Sequence, residues 1–183
     1  MPVDPTDGKT MVDSRLPIFL LVDNGSIRAA STLALRFTAD RVSQLAGVPV
    51  HPVSLAHSDR VDAEELDGIP AWTLAEFLRS DRVPADAEVV AVPVFLGNRG
   101  AIARQVEKVI VEVSRERPDL RVRMGRFLFE EDGPEQNVLA RAVADRIREK
   151  ISDAEPRKPL VVLTDHGSPI PVAAQVRNFV AGQ

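Results

Sequence analysis

Two of the chain's three histidines come within three residues after apolar runs. His57 comes after Val48–Leu55, and His166 after Leu160–Leu163. His166 stands in Pro159–Ser168, PLVVLTDHGS, and a near copy stands at Pro17–Ser26, PIFLLVDNGS. Each copy reads Pro, an apolar run, Asp, Asn or His, Gly, Ser. The likeness continues without a gap, so that Phe37 pairs with Phe179 and Ala39 with Ala181. Imidazole beside carboxylate, as in Asp165-His166, suits a borderline divalent metal such as Fe, Co, Ni or Zn, and also proton transfer near neutral pH. His57 is matched by Asp59, and a further acidic group stands at Glu130-Glu131-Asp132. Arg28 and Arg99 are cations able to fork onto carboxylates. The blander readings are a plain strand-to-helix turn, a loop histidine held by its neighbours and a solvated acidic turn.

The elements that must position these groups follow from the pattern. A continuous apolar run without alternation suits a strand buried on both faces, as in a parallel sheet. The expected strands are Ile18–Val22, Val48–Leu55, Val89–Leu96, Arg121–Phe129 and Leu160–Leu163. Pro93 hints at a bulge or bend in the third. Helices are expected at 29–45 (with Leu33, Ala34, Phe37 and Leu45 buried, and Gly47 ending it), 71–78, in the segment with the stripe Ile102, Val106, Val109, Ile110 and Val113, in that with Leu139, Val143, Ile147 and Ile151, and at 172–180. Ser26 and Ser168 are expected to cap the helices that follow them. Alternating strands and helices mean right-handed βαβ crossovers, a doubly wound α/β fold with a parallel sheet of four to five strands. All the strands then end at one edge, where such sheets bind ligands. That edge gathers Asp23, Asn24, Ser26, Arg28, His57, Asp59, Asn98, Arg99, Glu130, Glu131, Asp165, His166 and Ser168. His51 falls inside the second strand and reads as structural.

Composition narrows the classes. The chain has 183 residues, 44% apolar and 27% charged, with a formal net charge of -4 and no cysteine. Disulfides and thiolate chemistry are excluded, and the absence of basic runs argues against nucleic acid and anionic membrane surfaces. PIFLLV is too short for a membrane span. A cytoplasmic protein is expected, with a flexible tail over 1–15, one α/β domain over 16–152, and the start of a second repeat over 153–183 that packs on the first domain or on another subunit. A homodimer is compatible with that half-finished repeat. GxGxxG, Walker A, GxSxG and HExxH patterns are absent, so no nucleotide is expected.

The strand-DNGS and strand-DHGS segments resemble the strand-HGS motif of the sirohydrochlorin chelatases, the ATP-independent class II chelatases of cobalamin and siroheme biosynthesis. VVAVPVFLGNRGAIARQV resembles their third-strand segment, and SIRAASTLALR with VSLAHSD is similar to the two-domain branch. The likeness runs from Pro17 onward. It implies a chelatase-like fold and insertion of Co or Fe, as a substrate, into a tetrapyrrole rich in acetate and propionate groups. Under that resemblance His166, His57 and Glu130 are the catalytic candidates. His166, His57 and Glu131 are the metal ligands, and Asn24, Ser26, Arg28, Asn98, Arg99 and Ser168 hold the ring. Two departures stand out. Asn24 and Ala101 occupy the places where the family carries histidines, and an amide cannot take a proton. A catalytically silent domain that binds tetrapyrrole or metal is therefore the alternative, and a flavodoxin-like domain with an unrelated small anion is a third.

Overall fold

The computed structural model describes residues 16–95, 101–128, 136–151, 160–164, 178 and 181. Ten elements follow one another: β1 (Ile18–Asp23), α1 (Ala29–Ala46), β2 (Val50–Ser54), two 3-10 turns (Ser58–Arg60 and Ala63–Leu66), α2 (Leu74–Arg79), β3 (Glu88–Pro93), α3 (Ala101–Glu116), β4 (Arg121–Met124) and α4 (Gln136–Arg148). The strands form one all-parallel sheet in the order β2-β1-β3-β4. β1 is central. The chain leaves it for β2 on one side, then crosses back to β3 on the other. The α/β, doubly wound expectation holds, with four strands among the described residues.

β1 explains its own place. Leu20 and Val22 face one side of the sheet and Leu21 the other, and all three are buried. A strand covered on both faces has no use for alternating polarity. On one face Leu20, Val22, Val53, Leu55, Val89 and Ala91 meet Leu74, Phe77 and Leu78 of α2 and Val106 and Val113 of α3. On the other, Leu21 meets Leu35 and Ala39 of α1. Each fully buried aliphatic side chain of this kind stabilises by about 1.5–3 kcal/mol. β2 is an edge strand, which accommodates Pro52. α2 begins with a full capping box, Thr73 and Glu76 satisfying each other's backbone N–H groups.

Several expectations are corrected. The buried side of α1 is Thr32, Leu35 and Ala39, whereas Phe37 and Leu45 are 69% and 81% exposed and Leu33 and Ala34 are also exposed. α1 carries apolar residues on two neighbouring stripes, and a tertiary contact selects between them. The Arg36 guanidinium donates to the carbonyls of Leu66 (2.9 Å), Ile69 (2.6 Å) and Pro70 (3.3 Å), which fixes the rotation of the helix. The small Thr32 and Ala39 then allow close approach to the sheet. Pro93 marks no bulge: it keeps regular register with Val22 and closes β3. Residues 160–164 belong to no strand, and Leu160 is 90% exposed. β4 stops at Met124, short of the expected Phe129. Gly47 ends α1 in the left-handed conformation, as expected. The 1–15 tail, most of 153–183 and most of the last expected helix lie outside the described residues. No helix among those described is long and apolar enough to cross a membrane.

Candidate functional site

The order β2-β1-β3 places the topological switch between β1 and β3, beside the turn Asp23-Asn24-Gly25-Ser26. The turn is pinned from below. Gly25 has φ +80°, and a Cβ there would lie 1.8 Å from the Ala56 carbonyl oxygen and 2.9 Å from Ser54 Cβ. Only glycine combines that backbone conformation with that approach. The Leu55 N–H donates to the Asp23 carbonyl at 2.8 Å, and the Val94 N–H donates to Val22 on the other side at 2.8 Å. The C-terminal ends of β2, β1 and β3 are thereby locked into one edge.

Three ring-binding candidates, Asn24, Ser26 and Arg28, come together on this edge. Asn24 and Arg28 are exposed, and Ser26 is partly exposed. Ser26 does not cap α1. The helix starts two residues later with Arg28 at its N-cap, and the Ser26 Oγ accepts the Arg28 N–H at 3.1 Å. That i to i+2 bond shapes the turn and leaves α1 without a side-chain cap or an acidic residue in its first turn. The positive end of an 18-residue helix is thus open beside an exposed arginine, an arrangement that attracts anions.

His57 lies one residue beyond the Ala56 carbonyl on which Gly25 packs. It is exposed and has φ +71°, a conformation uncommon for histidine, at the start of the turn Ser58–Arg60. Asp59 is exposed in that same turn. Asn98, Arg99, Glu130, Glu131, His166 and Ser168 lie outside the described residues, as does Asp165. Among the described residues no group of three or more His, Cys, Asp or Glu side chains is arranged to hold a metal ion. An open groove of about 540 Å³ runs between α4 and Leu160-Val161, and none of the candidate residues lines it.

His51 is not part of the edge. It packs in β2 against the Phe77 ring at 5.4 Å, and Phe77 meets Trp72 edge-on at 6.0 Å. Burial, and then the charge of Arg82, lower its pKa from the ordinary histidine value. Its structural role stands.

The sequence pattern places Asp23 on the ligand-binding edge but assigns it no chemistry of its own. It is the last residue of β1, in register with Ser54. Its Oδ1 is buried with no hydrogen-bond partner. Burial raises the pKa of the carboxyl, while the Ser54 hydroxyl and the N–H groups of Gly25 and Asp23 itself pull it back down. Thr32 Oγ1 and Ser58 Oγ are also buried and unpartnered, on the segments that leave β1 and β2. The available signal was that Asp23 is the first polar residue after an apolar run, in both copies of the motif. No family model, curated protein or solved structure matches the chain.

Proposed function

We propose that this chain is a chelatase-like domain that inserts a divalent metal, Co or Fe, into sirohydrochlorin or a similar carboxylate-rich tetrapyrrole without a nucleotide. The observation that carries the reading is the position of the Asp23–Ser26 turn. It lies at the C-terminal end of the central strand, beside the switch point, with an uncapped helix start and Arg28 next to it. Anionic side chains of a ring meet donors and positive charge there. Metal insertion removes two pyrrole protons, so the site also needs proton acceptors at its rim. His57 stands on the same edge. His166, with Glu130 and Glu131, is assigned this chemistry by the resemblance, and Asn98, Arg99 and Ser168 are assigned further contacts to the ring.

The test is an absorbance assay of sirohydrochlorin with Co²⁺ and then Fe²⁺, comparing wild type with His166→Ala. Turnover above the spontaneous rate, lost in the variant, is the expected result. A wild-type rate equal to the no-protein control overturns the reading. A second reading, ring binding without turnover, is favoured by Asn24, an exposed amide where the family carries a base. It expects saturable titration of the metal-free ring with no metal-dependent change in rate.

A further inference from the structure

Buried polar oxygens in folded proteins nearly always have partners, and an exception calls for a physical reason. Three exceptions occur among the described residues, Asp23 Oδ1, Thr32 Oγ1 and Ser58 Oγ. Asp23 differs from the two hydroxyls in carrying a full charge when ionised. It is also the one at the rim: the residue is only partly buried and ends the central strand beside the switch point. Its inner oxygen receives no donor. The groups that favour its charged form are the Ser54 hydroxyl and the N–H groups of Gly25 and Asp23, and no charged side chain contributes. A carboxylate held in this way is poorly solvated and is relieved by taking a proton.

Resting on the proposed metal insertion, we infer that Asp23 is a proton acceptor of this site, taking over the base function that Asn24 cannot supply. In the step, a pyrrole N–H bond breaks, and its electron pair stays on nitrogen and enters the new nitrogen–metal bond. The proton goes to the Asp23 carboxylate, which releases it to water before the second N–H breaks. Two protons leave for each divalent ion inserted, so charge is conserved. The rigidity of the turn supports the assignment. Gly25 is seated against Ala56, and Asp23 is bonded through its backbone to Leu55, so the carboxyl keeps its place without needing a cation to hold it. The alternative role, a side chain that merely shapes the turn through the Gly25 N–H, makes opposite predictions for stability.

The test is Asp23→Asn in the full chain, read three ways. Affinity for metal-free sirohydrochlorin, titrated by absorbance, stays within about two-fold, since the amide oxygen still accepts an N–H. The Co²⁺ insertion rate falls about 100-fold or more, and the acid limb of the wild-type pH–rate profile disappears. The melting temperature at pH 7 rises, because the raised carboxyl contributes stability below its unfolded pKa and loses it as pH rises through the folded value. A full insertion rate, or a lower melting temperature with the acid limb retained, overturns the proposal. The reading of function fails separately, if wild type binds the ring but inserts no metal. In that case carbon-13 NMR of the Asp23 carboxyl decides: a titration midpoint displaced by the metal-free ring supports the proton-acceptor role, and an unmoved midpoint overturns it. If wild type does not bind the ring, both readings fall.

Discussion

The two ends of the sheet are built differently. At the β2 end the connections are tied down: Arg36 gathers the carbonyl that ends the Ala63–Leu66 turn and two of the loop after it, Thr73 and Glu76 cap α2, and Gly25 is seated against Ala56. At the β4 end the strand has four residues, with the exposed Arg121 and Arg123 along it, and Arg123 is spent on Glu88. Later in the sequence, Val143, Ile147 and Ile151 of the α4 segment line an open groove, and Leu160 and Val162 are exposed. Precision is concentrated on one side of the sheet. The Asp23–Ser26 turn and His57 are held on the tied side, and a site needs a rigid frame to hold side chains in a productive geometry. The segments that follow β4 in the sequence keep apolar surface uncovered among the described residues, and a short, charged strand such as β4 is the usual protection for a sheet edge.

Four substitutions test that contrast by thermal or urea denaturation. Gly25→Ala attacks the tied end directly. A left-handed residue and a backbone clash together cost about 4 kcal/mol, a large share of a small domain's stability. A loss below about 1 kcal/mol would show that the turn is free to shift. Arg36→Ala removes a guanidinium that satisfies three carbonyls and fixes the rotation of α1; the expected loss is about 2 kcal/mol. If the contact selects the buried stripe, the variant also changes the exposure of Phe37, readable by hydrogen exchange along α1.

His51 gives a smaller effect with a defined sign. Its folded pKa lies below the ordinary 6.5, because of burial and then Arg82. As pH falls below 6.5 the unfolded chain takes up the proton first, so stability drops until pH passes the folded value. His51→Gln flattens that part of the pH–stability curve, and an unchanged slope contradicts the assignment. Leu160→Ser is the smallest, within about 0.5 kcal/mol, because the side chain is already 90% exposed. A loss above about 2 kcal/mol would mean that Leu160 is packed in solution and that this segment is as tied as the β2 end.

Four of the five expected strands and the parallel sheet were legible because burial on both faces leaves a direct trace, an unbroken apolar run such as IFLLV, whereas Leu160–Leu163 carries the same trace and forms no strand. The α3 stripe was legible for a similar reason: Val106 and Val113 are fully buried, and Ile102, Val109 and Ile110 pack beside them. The face of α1 was not. Its apolar residues surround much of the helix, and the deciding contact joins Arg36 to residues thirty positions away. The cap was misplaced because a serine oxygen serves a turn as readily as a helix start, and only backbone geometry separates Ser26 bonding Arg28 from Ser26 capping α1. The gathering of Asn24, Ser26 and Arg28 at one edge followed from strand direction alone. The standing of Asp23 did not, because an unpartnered oxygen is a property of packing. No pattern of residue types records it.

The strand order has a consequence for synthesis. β1 leaves the ribosome before its partners, and β2 can pair with its one side soon afterwards. Its other side waits for β3, and residues 55–87 must be made in between. At about 5–20 residues per second that interval is roughly 2–7 s. Throughout it Leu20, Leu21 and Val22 present a bare strand edge in a half-built sheet, and closing it then requires a contact distant in sequence. The half-built sheet is therefore the stage at which β1 is most open to pairing with the wrong partner, and slower translation of residues 55–87 would lengthen that exposure.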